Sequence, residues 1–275
     1  MTFLRCSLLA IVFALLGSSV IAEQGVSASE ALKAVTCPGT YSGHLQGVCR
    51  DSAGNLYWSF TTEIVKTDAA GQLLKHVSAP THQGDLCWHD GKLYVAVNLG
   101  KFNRPAGEAK SWVFVYDDQT LQELARHEVP EVVHGAGGME YLNGKFYVVG
   151  GLPGDHEENY VYEYDPEFRF IKRYELKSGQ TLMGIQTVAY ADGIWWFGCY
   201  GKPAVTMKAD TQFNFVEKFE FPAALGIVPV GKNQFLIGRD RADAQKRHTG
   251  SLVPATINEQ GHLVEVRPTK TSASK

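Results

Sequence analysis

The chain has 275 residues, 44% of them hydrophobic, and 26 basic residues face 29 acidic ones for a formal charge of −3. That balance gives no electrostatic footprint for nucleic acid. The length is enough for one large core and does not call for several domains.

Residues 1–5 carry one positive charge, residues 6–20 form an almost unbroken apolar run, and Val20-Ile21-Ala22 supplies small residues at a cleavage site. This pattern predicts a secretory signal peptide at residues 1–22, and its removal takes Arg5 with it, so the charge moves to −4. Cys6 precedes the apolar run, which argues against a lipoprotein. No later run approaches the apolar length of a membrane span. The expected mature protein is therefore exported, periplasmic or extracellular, and a monomer. Four cysteines remain in it, Cys37, Cys49, Cys87 and Cys199. Export permits disulfides, and their pairing stays open between three bridged arrangements and buried free thiols.

Strand-like runs recur along the chain and end at Asp68, Asp117, Asp165, Asp210 and Asn258, at intervals of 49, 48, 45 and 48 residues. Upstream of each lies a turn followed by a β-rich run. Asp90-Gly91, Asn143-Gly144 and Asp192-Gly193 are dipeptides that accept positive φ and so read as tight hairpin turns. Each repeat holds four strand-like runs, the composition of a propeller blade. The prediction is an all-β fold, a five-bladed β-propeller of four-stranded antiparallel blades over residues 44–267, with negligible helix. Residues 23–43 are expected to help close the ring through a strand near residues 30–35. Six blades are the alternative if that segment supplies more than one strand. Residues 268–275 read as a disordered tail.

Strand alternation places the approach to each innermost strand and the loop between the second and third strands on one face. Those loops are long at 99–111, 151–159 and 239–250, and long loops on a rigid scaffold carry binding groups. The approaches read His44-Leu45-Gln46-Gly47, His82-Gln83-Gly84-Asp85, His134 with three glycines behind it, Met183-Gly184-Ile185-Gln186, and Leu225-Gly226-Ile227. Imidazoles and amide or carboxylate oxygens converging from different blades suit a divalent ion, Zn, Mn or Ca, with His44, His82, His134 and Gln46 as ligands. The same cluster, without a metal, is also a plausible polar catalytic site. Asp85 is the expected general base, and Gln186 and Arg239 the expected substrate-orienting groups. Arg239, Asp240 and Arg241 form a candidate clamp for an anionic substrate or a solvated loop. The acidic run at 155–158 reads as a loop, and Trp58, Trp88, Trp195 and Trp196 as packing between blades. G-x-S-x-G, H-E-x-x-H and P-loop motifs are missing from the sequence.

The blade periodicity and D-G-x-Y-style turns over residues 40–267 make the chain resemble exported propellers of the SMP-30/gluconolactonase-like, NHL-like and strictosidine-synthase-like group. That resemblance implies a metal-dependent hydrolase or a related catalyst, although the group's Glu/Asn/Asp ligand set is replaced here by histidines. In blade number the chain is similar to plant-type glutaminyl cyclotransferases, which share a Gln-Gly pair like Gln46-Gly47. Asp85 and Gln186 are the nearest counterparts of that family's acidic and amide residues. The resulting expectation is a metal-assisted hydrolase or lyase acting on a small carbohydrate- or lactone-like substrate. The alternatives are a non-catalytic propeller that binds a glycan, peptide or protein, and a glutaminyl-cyclotransferase-like acyltransferase.

Overall fold

The structure is a computed structural model that describes residues 32–266. The expected signal peptide at 1–22, residues 23–31 and the tail at 268–275 lie outside the described residues.

Four blades follow chain order. The first is β2 (Leu45–Arg50), β3 (Leu56–Phe60), β4 (Glu63–Thr67) and β5 (Leu73–Ser78), after a short strand β1 (Val35–Thr36). The second is β6 (Gln83–His89), β7 (Lys92–Asn98), β8 (Ser111–Asp117) and β9 (Glu123–Glu128), and the third β10 (Ala136–Leu142), β11 (Lys145–Gly150), β12 (Asn159–Tyr164) and β13 (Phe170–Leu176). The fourth is β14 (Leu182–Ala191), β15 (Ile194–Tyr200), β16 (Val205–Ala209) and β17 (Phe215–Glu220). In each, consecutive strands pair antiparallel from the axis outward. The fifth blade is β18 (Ile227–Gly231), β19 (Gln234–Ala242) and β20 (His248–Ile257), with β21 (Leu263–Glu265). Its outer edge is shared: β1 pairs with β20 at Leu252 and Ser251, and β21 pairs with β20 from Ala255 to Ile257. Two chain segments thus cover an edge that would otherwise expose unpaired backbone. The inner strands β2, β6, β10, β14 and β18 touch one another in a closed cycle. The fold is an all-β, five-bladed propeller, and no helix occurs among the described residues.

The burial patterns explain the sequence. Middle strands are covered on both faces and read as continuous apolar runs, as in the Trp195-Trp196-Phe197 stretch of β15, all buried. Outer strands alternate with solvent, as in β17. The core is a set of sandwiches between neighbouring blades, for example Trp195, Phe197 and Phe213 of blade four against Val149 and Val161 of blade three. The four cysteines are free thiols.

The repeated Asp or Asn has a physical reason. The Asp68 carboxylate accepts the backbone N–H groups of Ala70 and Gln72, and Asp165, Asp210 and Asn258 accept the corresponding pairs in their turns. Each closes the hairpin between third and fourth strands, with the third residue on from the Asp or Asn at positive φ: Gly71, Phe168, Phe213 and Gly261. The predicted tight turns also form, with φ of 47° and 72° at Asp90-Gly91 and 50° and 80° at Asn143-Gly144. One predicted loop is shorter than expected: within 239–250 the β19–β20 ladder continues through Asp240↔Gly250 to Ala242↔His248, and only residues 243–247 form the turn.

Candidate functional site at the channel mouth

The approaches to the inner strands surround a cavity of about 490 Å³. Its polar wall comes from blade one (His44, Gln46), blade two (His82), blade four (Gln186, Tyr200) and blade five (Asp240). Phe102, Met183 and Leu225 supply apolar wall, and Gly84, Ala136 and Gly137 bring bare backbone to the lining. A concave, largely apolar site with a few convergent polar groups is the usual form of a small-molecule pocket.

The polar groups are paired and aimed. Nε2 of His44 lies 3.3 Å from the Tyr200 hydroxyl. The Gln46 side-chain amide lies 2.9 Å from Nε2 of His82 and also donates to the Thr61 hydroxyl. Gln186 donates its amide to the Met183 carbonyl at 2.7 Å, which leaves its own carbonyl oxygen able to accept. Burial holds both imidazoles below their ordinary pKa of 6.5, so they are uncharged at neutral pH; Asp240 opposes this at His44, and His44 adds to it at His82. Burial likewise raises the Tyr200 phenol to about 12, and it keeps its proton. Asp240 accepts the Leu45 backbone N–H at 3.0 Å and the His248 Nδ1–H at 2.7 Å, and the His248 ring centroid is 6.1 Å from that of His44.

Of the residues singled out in the sequence, His44, Gln46, His82 and Gln186 meet at this cavity. Asp85 does not line it. Its carboxylate is buried on the axis, where it accepts the Val188 N–H from blade four at 3.1 Å and further backbone bonds from Val48 and Leu86. Burial pushes its carboxyl well above the usual range despite those donors. The glycines around it make room: a Cβ on Gly47 would fall 2.1 Å from Asp85 Oδ1. His134 also turns elsewhere. Its Nδ1 donates to the Arg104 carbonyl at 2.8 Å, its own carbonyl accepts the Asn103 N–H, and its ring packs on His156. It therefore fastens the 99–110 loop, which carries Phe102 to the cavity wall. Arg239 pairs with Glu265 and donates to the Pro222 carbonyl, outside the cavity lining.

The ligand set expected for a divalent ion is thus not assembled, because His134 is committed to the loop. Among the described residues no group of three or more His, Cys, Asp or Glu side chains is placed to hold a metal ion.

Sequence reasoning missed Tyr200 and Phe102. Tyr200 ends the continuous apolar run of β15, which gives no sign of a cavity, and Phe102 sits in a polar loop whose length alone hinted at a binding role. At the opposite end of the channel Glu140 lies in a smaller pocket of about 100 Å³ with Cys49 and Cys87, and burial raises its carboxyl to about 7.

The fold and this pocket define a five-bladed propeller with a small-molecule-sized cavity at one channel mouth. No protein-family profile matches the chain, and no curated protein matches it in sequence. Among solved structures it is similar to a glutaminyl cyclase of Myxococcus xanthus, at 13% identity and a TM-score of 0.56, over 86% of this chain and 96% of that one. It is also similar to the xyloglucan-locus protein GH43B of Bacteroides ovatus, at 13% identity and a TM-score of 0.61, over 86% of this chain and 56% of that one. At this identity the likeness shows a shared fold.

Proposed function

We propose that the channel mouth is the active site of a small-molecule hydrolase or lyase working by general acid–base catalysis, on a carbohydrate- or lactone-like substrate. The observation that carries this reading is the pair of imidazoles, His44 and His82, on the wall of one cavity with the Tyr200 hydroxyl and Gln46 amide as hydrogen-bond partners. The neutral His44 imidazole accepts a proton from water or from a carbon acid, and the imidazolium so formed returns it to the leaving oxygen, while His82, whose Nε2 accepts the Gln46 N–H, holds the wall beside it. Tyr200 orients His44 and, as an un-ionised phenol, can donate to an oxygen of the substrate. Gln46 offers its oxygen to a substrate hydroxyl, and Gln186 offers its oxygen and its second N–H to a hydroxyl or a carbonyl. The likeness in fold to two propellers, a glutaminyl cyclase and GH43B, is compatible with an enzyme on this scaffold.

The experiment is a turnover assay with aldonolactones and nitrophenyl glycosides, amino sugars included. The expected result is turnover of at least one, falling roughly 100-fold or more in kcat for His44→Gln or His82→Gln. Its kcat/KM should decline with acid along a limb below pH 6.5, the ordinary imidazole value, since only the neutral His44 ring acts as a base. No turnover of any member, or unchanged turnover in both variants, contradicts the proposal.

A further inference from the structure

The strand register overturns one expectation about charge. On β19, Arg239 faces Ser251, Asp240 faces Gly250 and Arg241 faces Thr249, and successive side chains of a strand point to opposite sides. The arginines leave the cavity: Arg239 pairs with Glu265, and exposed Arg241 borders a separate surface groove with Thr36 and Asp243. Asp240 is turned inward and is the one formally charged residue among those lining the cavity, which includes no lysine or arginine.

We propose that the pocket's ligand carries an ammonium group held against the Asp240 carboxylate, so that the substrate class is a small amine, an amino sugar or amino lactone being the simplest case. This rests on the reading of the cavity as the functional site. The carboxylate is a fixed acceptor and not a mobile surface charge. Leu45 N–H holds Oδ1 and His248 Nδ1–H holds Oδ2, the side chain is 13% exposed, and each oxygen keeps lone-pair capacity for a further donor. An ammonium donor completes a charge-assisted hydrogen bond there, in a site partly shielded from water. The rest of the wall agrees, because Phe102 and Tyr200 offer aromatic rings and Met183 a polarisable thioether, surfaces that tolerate an organic cation. An anion of the same size would lie beside Asp240 with no lining cation to offset the repulsion.

The test compares three ligands of matched size by calorimetry at pH 7 and low salt: cyclohexylammonium, cyclohexanol and cyclohexanecarboxylate. The wild-type chain should bind the ammonium roughly tenfold or more tighter than the alcohol, with the carboxylate weakest. Asp240→Asn should reduce the ammonium to the affinity of the alcohol while the alcohol stays within about twofold of its wild-type value. Equal or tighter binding of the carboxylate, an undiminished ammonium preference in Asp240→Asn, or no binding by any of the three overturns the proposal. If the variant does not fold, the wild-type order alone decides. Loss of the ammonium preference with glycoside or lactone turnover intact removes this inference alone, whereas a clear preference without turnover removes the catalytic reading alone.

Discussion

Asp85 shows how burial decides the role of a side chain. Its spacing in the sequence is that of a general base at the mouth, yet the neighbouring glycines let the inner strands close around it, and backbone donors from three blades occupy it. It is a tie at the axis. Asp85→Ala strands those buried N–H groups and should lower unfolding free energy by about 3 kcal/mol in urea denaturation, with Asp85→Asn milder because it can still accept. A loss under about 0.5 kcal/mol, the usual range for surface substitutions, would contradict that role. Glu140 makes a pH-dependent case. Its folded carboxyl sits near 7 against an ordinary 4.5, so the folded state holds the proton more tightly and stability is lost as pH rises from 4.5 through 7. Glu140→Gln keeps an acceptor for the Tyr141 and Tyr190 amides and should therefore match wild type near pH 4. It should exceed wild type by about 1 to 3 kcal/mol at pH 8. Equal stability of the two proteins at pH 8 would refute the assignment.

At the scale of elements, the 99–110 loop is the part that sequence describes least. Its length marked a binding face, but nothing in its composition showed that Phe102 would form a cavity wall or that His134 would hold it there. A histidine beside glycines at an inner-strand approach reads the same whether it binds a ligand or a loop, and the difference lies in which carbonyl comes within reach. His134→Ala should free the loop, visible as faster hydrogen exchange at the Asn103 amide and weaker binding of cyclohexanol, with the remaining blades keeping their protection. Unchanged exchange at Asn103 would show that the loop is held by other contacts. The hairpins were far more legible. Asp-Gly and Asn-Gly turns, and Asp or Asn at a fixed interval, state local backbone requirements that tertiary context does not override. The exception was 239–250, where a ladder continues through residues whose charge reads as loop.

At the scale of the whole molecule, blade number and strand order were legible because the hydrophobic and turn pattern repeats and each copy reinforces the others. The pocket was legible only in part. Position on the correct face follows from strand direction, so His44, His82, Gln46 and Gln186 meet, whereas which side of β19 faces inward does not, so Asp240 lines the cavity in place of Arg239. The propeller's function, on this account, depends on imidazoles kept uncharged by the ring of blades around them. The direct measurement is an NMR titration of the histidine side-chain nitrogens in the full chain between pH 4 and 8, assigned by His44→Gln and His82→Gln. His44 and His82 should both titrate below 6.5. Titration of both rings at or above 6.5 would contradict it.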